Sequence, residues 1–153
     1  MLRSPDGSYE VSWCPKHQLP QALEAFKEQI YSGSEVDDSL SLTETIGDLF
    51  TGLTRLGLIY ETEPFQPIGS WFSDIKIDGV QNYKYVTIYG LSGKNPNKWA
   101  QGLAKLVENW AQQEGCHSYR WYGRLGWTRY ETDIKLLEVV NDREGLFEKV
   151  IAA

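Results

Sequence analysis

Residues 83–124 constrain the fold of this chain more than any other stretch. YKYVTIYGL alternates as a β-strand does: Tyr83, Tyr85, Thr87 and Tyr89 fall on one face, Val86 and Ile88 on the other. The loop SGKNPNK follows. Trp99, Leu103, Leu106, Val107 and Trp110 then recur at offsets 0, 4, 7, 8 and 11, the stripe of an amphipathic helix. Asn95 is placed to cap that helix, and Pro96 to occupy its first position, where a missing N–H is harmless. Gly115 ends it in the left-handed conformation that helix C-termini favour. Residues 117–124 alternate again, with Tyr119 and Trp121 on one face. A strand, a long helix and a second strand form a crossover, and the two strands become parallel neighbours in one sheet.

Other elements group around this unit. Tyr9 to Trp13 reads as a strand ended by Pro15, and Leu19, Leu23, Phe26 and Ile30 predict a helix over about 19–31. Ser41 and Glu44 form a capping box for a second helix, whose stripe is Ile46, Leu49, Phe50 and Leu53. Residues 58–62 predict a strand broken by Pro64 and Pro67. Residues 71–77 predict another, joined by an Asp78-Gly79 turn to the strand at 83–91 as a β-hairpin. A short helix at 127–131, a strand at 136–140 and a terminal strand or frayed helix at 146–151 complete the chain. The order is β-α-α-β-β-β-α-β-α-β. It implies an α/β (α+β) domain with a single mixed sheet flanked by helices, spanning 1–153 without a linker.

Charge and composition exclude several classes. The net charge of −6 argues against a nucleic-acid binder that relies on overall positive charge, although Arg120, Arg124 and Arg129 could make a local basic patch. No apolar run approaches the roughly 18–20 residues of a membrane span, and the N-terminus lacks the apolar core of a secretory signal. Cys14 and Cys116 read as free thiols, and His17 and His117 as surface or cap residues. No zinc-type spacing is present, so no metal is expected.

The segment GCHSYRWYGRLGWTRYE sets Trp121, Tyr122, Trp127 and Tyr130 around a Gly123-Arg124-Leu125-Gly126 turn. Together with the element order, residues 83–131 resemble the GNAT N-acetyltransferase fold. A narrower pattern, W-x10-W-A-x3-G-C followed by G-R-x-G-W, is carried by Trp99, Trp110, Ala111, Gly115, Cys116, Gly123, Arg124, Gly126 and Trp127. It is similar to small GNAT-like proteins of tailed bacteriophages, among them internal virion proteins of short-tailed phages.

The resemblance implies two functions. In the first, the chain is a degenerate GNAT-like phage protein acting through protein contacts, as a virion or assembly component. It would bind other phage proteins through Arg124, Trp127 and Arg129, work in the host cytoplasm or packaged in the virion, and need no cofactor. The GNAT loop that binds the acetyl-CoA pyrophosphate has the form Gln/Arg-x-x-Gly-x-Gly/Ala. Here Ser92, Gly93, Lys94, Asn95, Pro96 and Asn97 hold that place with one glycine, and Pro96 has no N–H to donate. In the alternative, the chain is an acetyl-CoA-dependent N-acetyltransferase with an atypical loop. Ser92, Gly93 and Lys94 would then meet the cofactor. Tyr130, beside Glu131, would be the general acid, with Glu61 or Asp74 as base through a water.

Overall fold

The computed structural model describes residues 1–35, 40–125 and 134–151. The strands are β1 (Leu2–Arg3), β2 (Tyr9–Trp13), β3 (Arg55–Thr62), β4 (Phe65–Asp78), β5 (Tyr83–Gly93), β6 (Ser118–Arg124), β7 (Ile134–Val139) and β8 (Glu144–Val150). The helices are α1 (Leu19–Ala25), α2 (Lys27–Glu35), α3 (Leu42–Thr51) and α4 (Pro96–Gln113). The strands form one eight-stranded sheet in the order β1-β2-β3-β4-β5-β6-β8-β7. Among the described residues only β5 and β6 pair in parallel, and the other neighbouring pairs are antiparallel. The single mixed sheet flanked by helices is the expected fold class, with α4 as the expected crossover.

Side-chain alternation divides the core between the two faces of the sheet. On one face, the stripe of α4 (Trp99, Leu103, Leu106, Val107) packs on Val11, Ile59, Trp71, Val86, Tyr119 and Phe147. On the other, Leu19, Phe26 and Ile30 of the α1–α2 segment and Leu49 of α3 cover Leu56, Leu58 and Phe72. Neighbouring Trp71 and Phe72 therefore serve opposite faces, as period-two geometry requires. Cys14 packs in the second cluster and Cys116 in the first, and both are free thiols. Among the described residues, no helix is long and apolar enough to cross a membrane.

Local departures from expectation have physical causes. The helix predicted over 19–31 is divided at Phe26, which leaves helical geometry at φ −106°, ψ 18°. Its buried ring meets Tyr60 and Phe65 edge-on, and the break lets α1 and α2 both lie on one sheet face. Pro67 does not break a strand. The β3–β4 register shifts between Ile59, opposite Gly69, and Tyr60, opposite Pro67, so the proline's missing N–H falls at a bulge. The capping box of α3 is half formed: Ser41 Oγ accepts from Glu44 N at 3.5 Å. Glu44 lines a cavity. Residues 144–150 are a strand, inserted between β6 and β7. The short helix expected at 127–131 lies outside the described residues.

Candidate functional site

The parallel pair β5–β6 stops early. Its register runs from Tyr85 opposite Ser118 to Ile88 opposite Trp121. Past that point β5 continues beside β4 to Gly93, while β6 continues beside β8 to Arg124. A bulge in β5 causes the parting. Phe72 pairs with Tyr89 and Ser70 with Ser92, so Trp71 is opposed by both Gly90 and Leu91. Gly90 takes φ 60°, and a Cβ there would meet the Phe72 ring at 2.8 Å, so glycine fits this corner. Beyond Ile88 and Trp121 the facing edges of β5 and β6 carry backbone groups that make no ladder bonds to each other.

The β5–α4 loop borders the opening. Asn95 occupies the N-cap position in left-handed conformation, φ 56°, ψ 57°, and its side chain makes no cap bond. The expected cap is corrected here: Asn95 Nδ2 reaches Tyr9 Oη at 3.5 Å instead. Trp99 Nε1 donates to the Lys94 carbonyl at 2.6 Å and so turns that oxygen toward the helix. The amides of Lys94, Asn95 and Asn97 donate to no backbone carbonyl among the described residues. Gly93, Lys94, Asn95 and Asn97 are exposed. Ser92 Oγ donates to the Gln29 carbonyl at 2.7 Å, which ties this strand end to α2.

A cavity of about 420 Å³ lies on the helix α3 side of the sheet and reaches Ile88 and Trp121, where the strands part. Asp74, Tyr85, Thr87, Tyr89 and Arg120 form its floor, and Glu44 and Asp48 of α3 form a wall. Asp74 accepts a hydrogen bond from Thr87 Oγ1, and its other oxygen lies 3.4 Å from Tyr89 Oη and 3.5 Å from Lys76 Nζ. Tyr89 Oη also lies 2.8 Å from Thr54 Oγ1. Burial pushes the Tyr89 phenol above its ordinary range. The Thr54 bond opposes that shift, and the charges of Asp74 and Asp48 add to it. Tyr89 is therefore a protonated hydroxyl at neutral pH, fixed against a carboxylate.

Arg120 is held from below. Its Nε donates to buried Glu148 at 2.7 Å, and Ser118 Oγ and Tyr83 Oη donate to the same carboxylate at 2.8 and 3.2 Å. Burial alone would raise the Glu148 carboxyl, but the bonds from Arg120 and Ser118 outweigh it and hold the group below the usual carboxylate range. The guanidinium also lies 4.2 Å from the Tyr85 ring centroid.

Several expected site residues are placed elsewhere. Arg120 does not join Arg124 in a basic patch: Glu148 neutralises it, and exposed Arg124 stands opposite Glu144. Trp127, Arg129 and Tyr130 lie outside the described residues. Glu61 accepts from Tyr9 Oη at 3.4 Å, on the face that α4 covers. Of the two base candidates only Asp74 lines the cavity. His117 stacks on Tyr83 at 4.9 Å and His17 is exposed. Among the described residues no group of His, Cys, Asp and Glu could hold a metal ion. Sequence reasoning missed Glu44 and Asp48 as cavity residues, and it missed the Thr54–Tyr89–Asp74 and Arg120–Glu148 networks. One signal was available: like charges at i and i+4 on a helix, an arrangement that weakens the helix unless something else favours it.

No protein-family model matches the sequence, and no curated protein sequence does. Solved structures do match. An N-acyl amino acid synthase from uncultured soil microbes superposes with a TM-score of 0.65 at 10% identity, covering 94% of this chain and 91% of its own. An aminoglycoside 6'-acetyltransferase of type Ii gives 0.64 at 12%, covering 94% and 98%. A chain of the NatC complex, solved with Gag peptide and CoA, gives 0.63 at 13%, covering 95% and 99%. Likeness at such identity speaks for the fold alone. The eight-stranded mixed sheet, its parted parallel pair and these superpositions together establish that this chain has the GNAT acetyltransferase fold.

Proposed function

We propose that the chain is an acetyl-CoA-dependent N-acetyltransferase acting on a small amine. The observation that carries this reading is the parted β5–β6 pair, with a cavity opening beside it that holds a carboxylate, Asp74. The solved structures of this fold named above include an N-acyl amino acid synthase and an aminoglycoside acetyltransferase, and the NatC complex is bound to CoA. That supports the transferase alternative over a cofactor-free phage virion protein, for which no structural observation speaks.

The loop fits a pyrophosphate in reduced form. Amides of Lys94, Asn95 and Asn97 without backbone acceptors, next to the start of an 18-residue helix, are suited to an anion, and exposed Lys94 adds a positive charge. Pro96 removes one donor from that set. The free edges of β5 and β6 offer backbone donors and acceptors to an extended, amide-bearing chain. When bound, acetyl-CoA would supply an acetyl group activated as a thioester. Asp74 would take the proton of the attacking amine, directly or through one water, and Tyr89 and Thr87 would hold that carboxylate in place. Tyr130, by the family resemblance, is the proposed acid for the departing sulfur.

Thermal unfolding with and without millimolar acetyl-CoA tests this reading. A ligand at about a hundredfold over its dissociation constant stabilises the folded state by roughly 2.7 kcal/mol. For a domain of this size that raises the midpoint by about 5–10 °C. An unchanged midpoint would count against the cofactor site.

A further inference from the structure

The sheet ends differently on its two sides. One outer strand, β1, has two residues, too few to offer another chain much of an edge. The other, β7, has six, IKLLEV, and among the described residues nothing pairs with its outer edge. Leu136, Leu137 and Val139 of that strand are exposed, and so is Val140 after it. An apolar strand with an unpaired edge invites pairing with another chain.

The register with β8 fixes the face of each residue. Ile134 pairs with Lys149, Leu136 with Phe147 and Val139 with Gly145, so all three lie on the α4 face, where Phe147 joins the core. Lys135 pairs with Glu148 and Glu138 with Leu146, so both lie on the cavity face. The register shift between Leu136 and Glu138 makes Leu137 an extra residue, and that bulge brings Lys135 and Glu138 to one face. Neither makes an ion pair among the described residues.

This pattern complements itself about a twofold axis perpendicular to the sheet, which keeps each face on its own side. Centred on Leu136, the axis sets Lys135 opposite Glu138 of a second copy, and Glu138 opposite that copy's Lys135. On the other face Ile134 meets Val139, and Leu136 meets its counterpart. Moving the axis one ladder position sets Lys135 against Lys135, or Glu138 against Glu138, and like charges directly opposite repel. Charges and bulges ordinarily keep edges apart. Here they select one register instead. We propose that β7 pairs antiparallel with β7 of a second copy, joining two sheets into one across a twofold dimer. The proposal is independent of the transferase reading.

The test is sedimentation of the full chain over a concentration series. The wild-type chain should form a dimer and nothing larger, because a twofold contact closes on itself. Lys135→Glu and Glu138→Lys each turn two attractive contacts into two repulsive ones, so each should weaken the dimer at least about tenfold. The double variant K135E/E138K restores opposite charges and should recover the wild-type dissociation constant within about threefold. Circular dichroism should show all three variants folded, since both side chains are exposed. A wild-type chain that stays monomeric up to about 0.1 mM would overturn the proposal. So would a dimer indifferent to both single changes, or one that the double variant does not restore.

Discussion

Replacing Asp74 by asparagine should lower kcat for acetyl transfer about a hundredfold to ten-thousandfold, the usual range for loss of a general base. A hundredfold loss corresponds to about 2.7 kcal/mol of transition-state stabilisation. Asparagine keeps the shape of the side chain, and its carbonyl oxygen can still accept from Thr87. The hydroxyls of Tyr89 and Thr54 stay 2.8 Å apart, so the floor of the cavity is preserved. What disappears is the capacity to hold a proton. Affinity for acetyl-CoA should not change, because none of residues 92–97 lines the cavity that holds Asp74. The measurement is kcat and KM at saturating acetyl-CoA, together with the acetyl-CoA-induced shift in unfolding midpoint. A kcat within about twofold of the wild type would exclude Asp74 as base.

The largest effect on stability should come from Trp71→Ala, at about 3–5 kcal/mol. That is a large share of the roughly 5–15 kcal/mol that holds a typical domain folded. Trp71 is fully buried at the centre of the sheet and packs at 5.2 Å against Trp13. It lies so close to β3 that a Cβ on Gly57 would meet the indole at 2.1 Å. It also stands opposite Gly90 and Leu91, at the bulge that turns β5 away from β6. Its removal should therefore loosen both the core and the opening. Trp71 Nε1 is buried without an acceptor among the described residues. Trp71→Phe removes that N–H and keeps an aromatic ring, so it should cost clearly less than Trp71→Ala. Denaturant unfolding of the two variants measures the difference. A loss below about 1 kcal/mol for Trp71→Ala would contradict a role for the indole's bulk at this corner.

Much of the fold could be read from local pattern because its central unit is local. The 83–91 alternation, the Trp99–Trp110 stripe and Gly115 belong to one continuous crossover, and each was found as expected. Pairings between distant segments were not readable. Nothing in residues 144–150 says that they insert between β6 and β7. Without that insertion, Glu148 cannot be seen to meet Arg120. Pro67 looked like a strand breaker because its harmlessness depends on a register shift with Tyr60, a property of two strands together.

The candidate site was legible only in outline. Tyr83, Tyr85, Thr87 and Tyr89 were placed on one face, but the α3 carboxylates above them depend on how the helix docks. The single glycine of the 92–97 loop argued against a cofactor. Anion binding at such a loop would depend on backbone amides, which side-chain identity reports poorly. The phage resemblance leaned on a turn whose second half, from Gly126 onward, lies outside the described residues. The fold comparisons speak for the GNAT fold and give no sign of a phage origin.

The central claim is that this opening and cavity together perform acetyl transfer. Its most direct test is release of free CoA thiol from acetyl-CoA by the purified chain, followed across a panel of primary amines. The account predicts amine-dependent release and an acetylated amine of the expected mass. Release no faster than hydrolysis in buffer for every amine would contradict it.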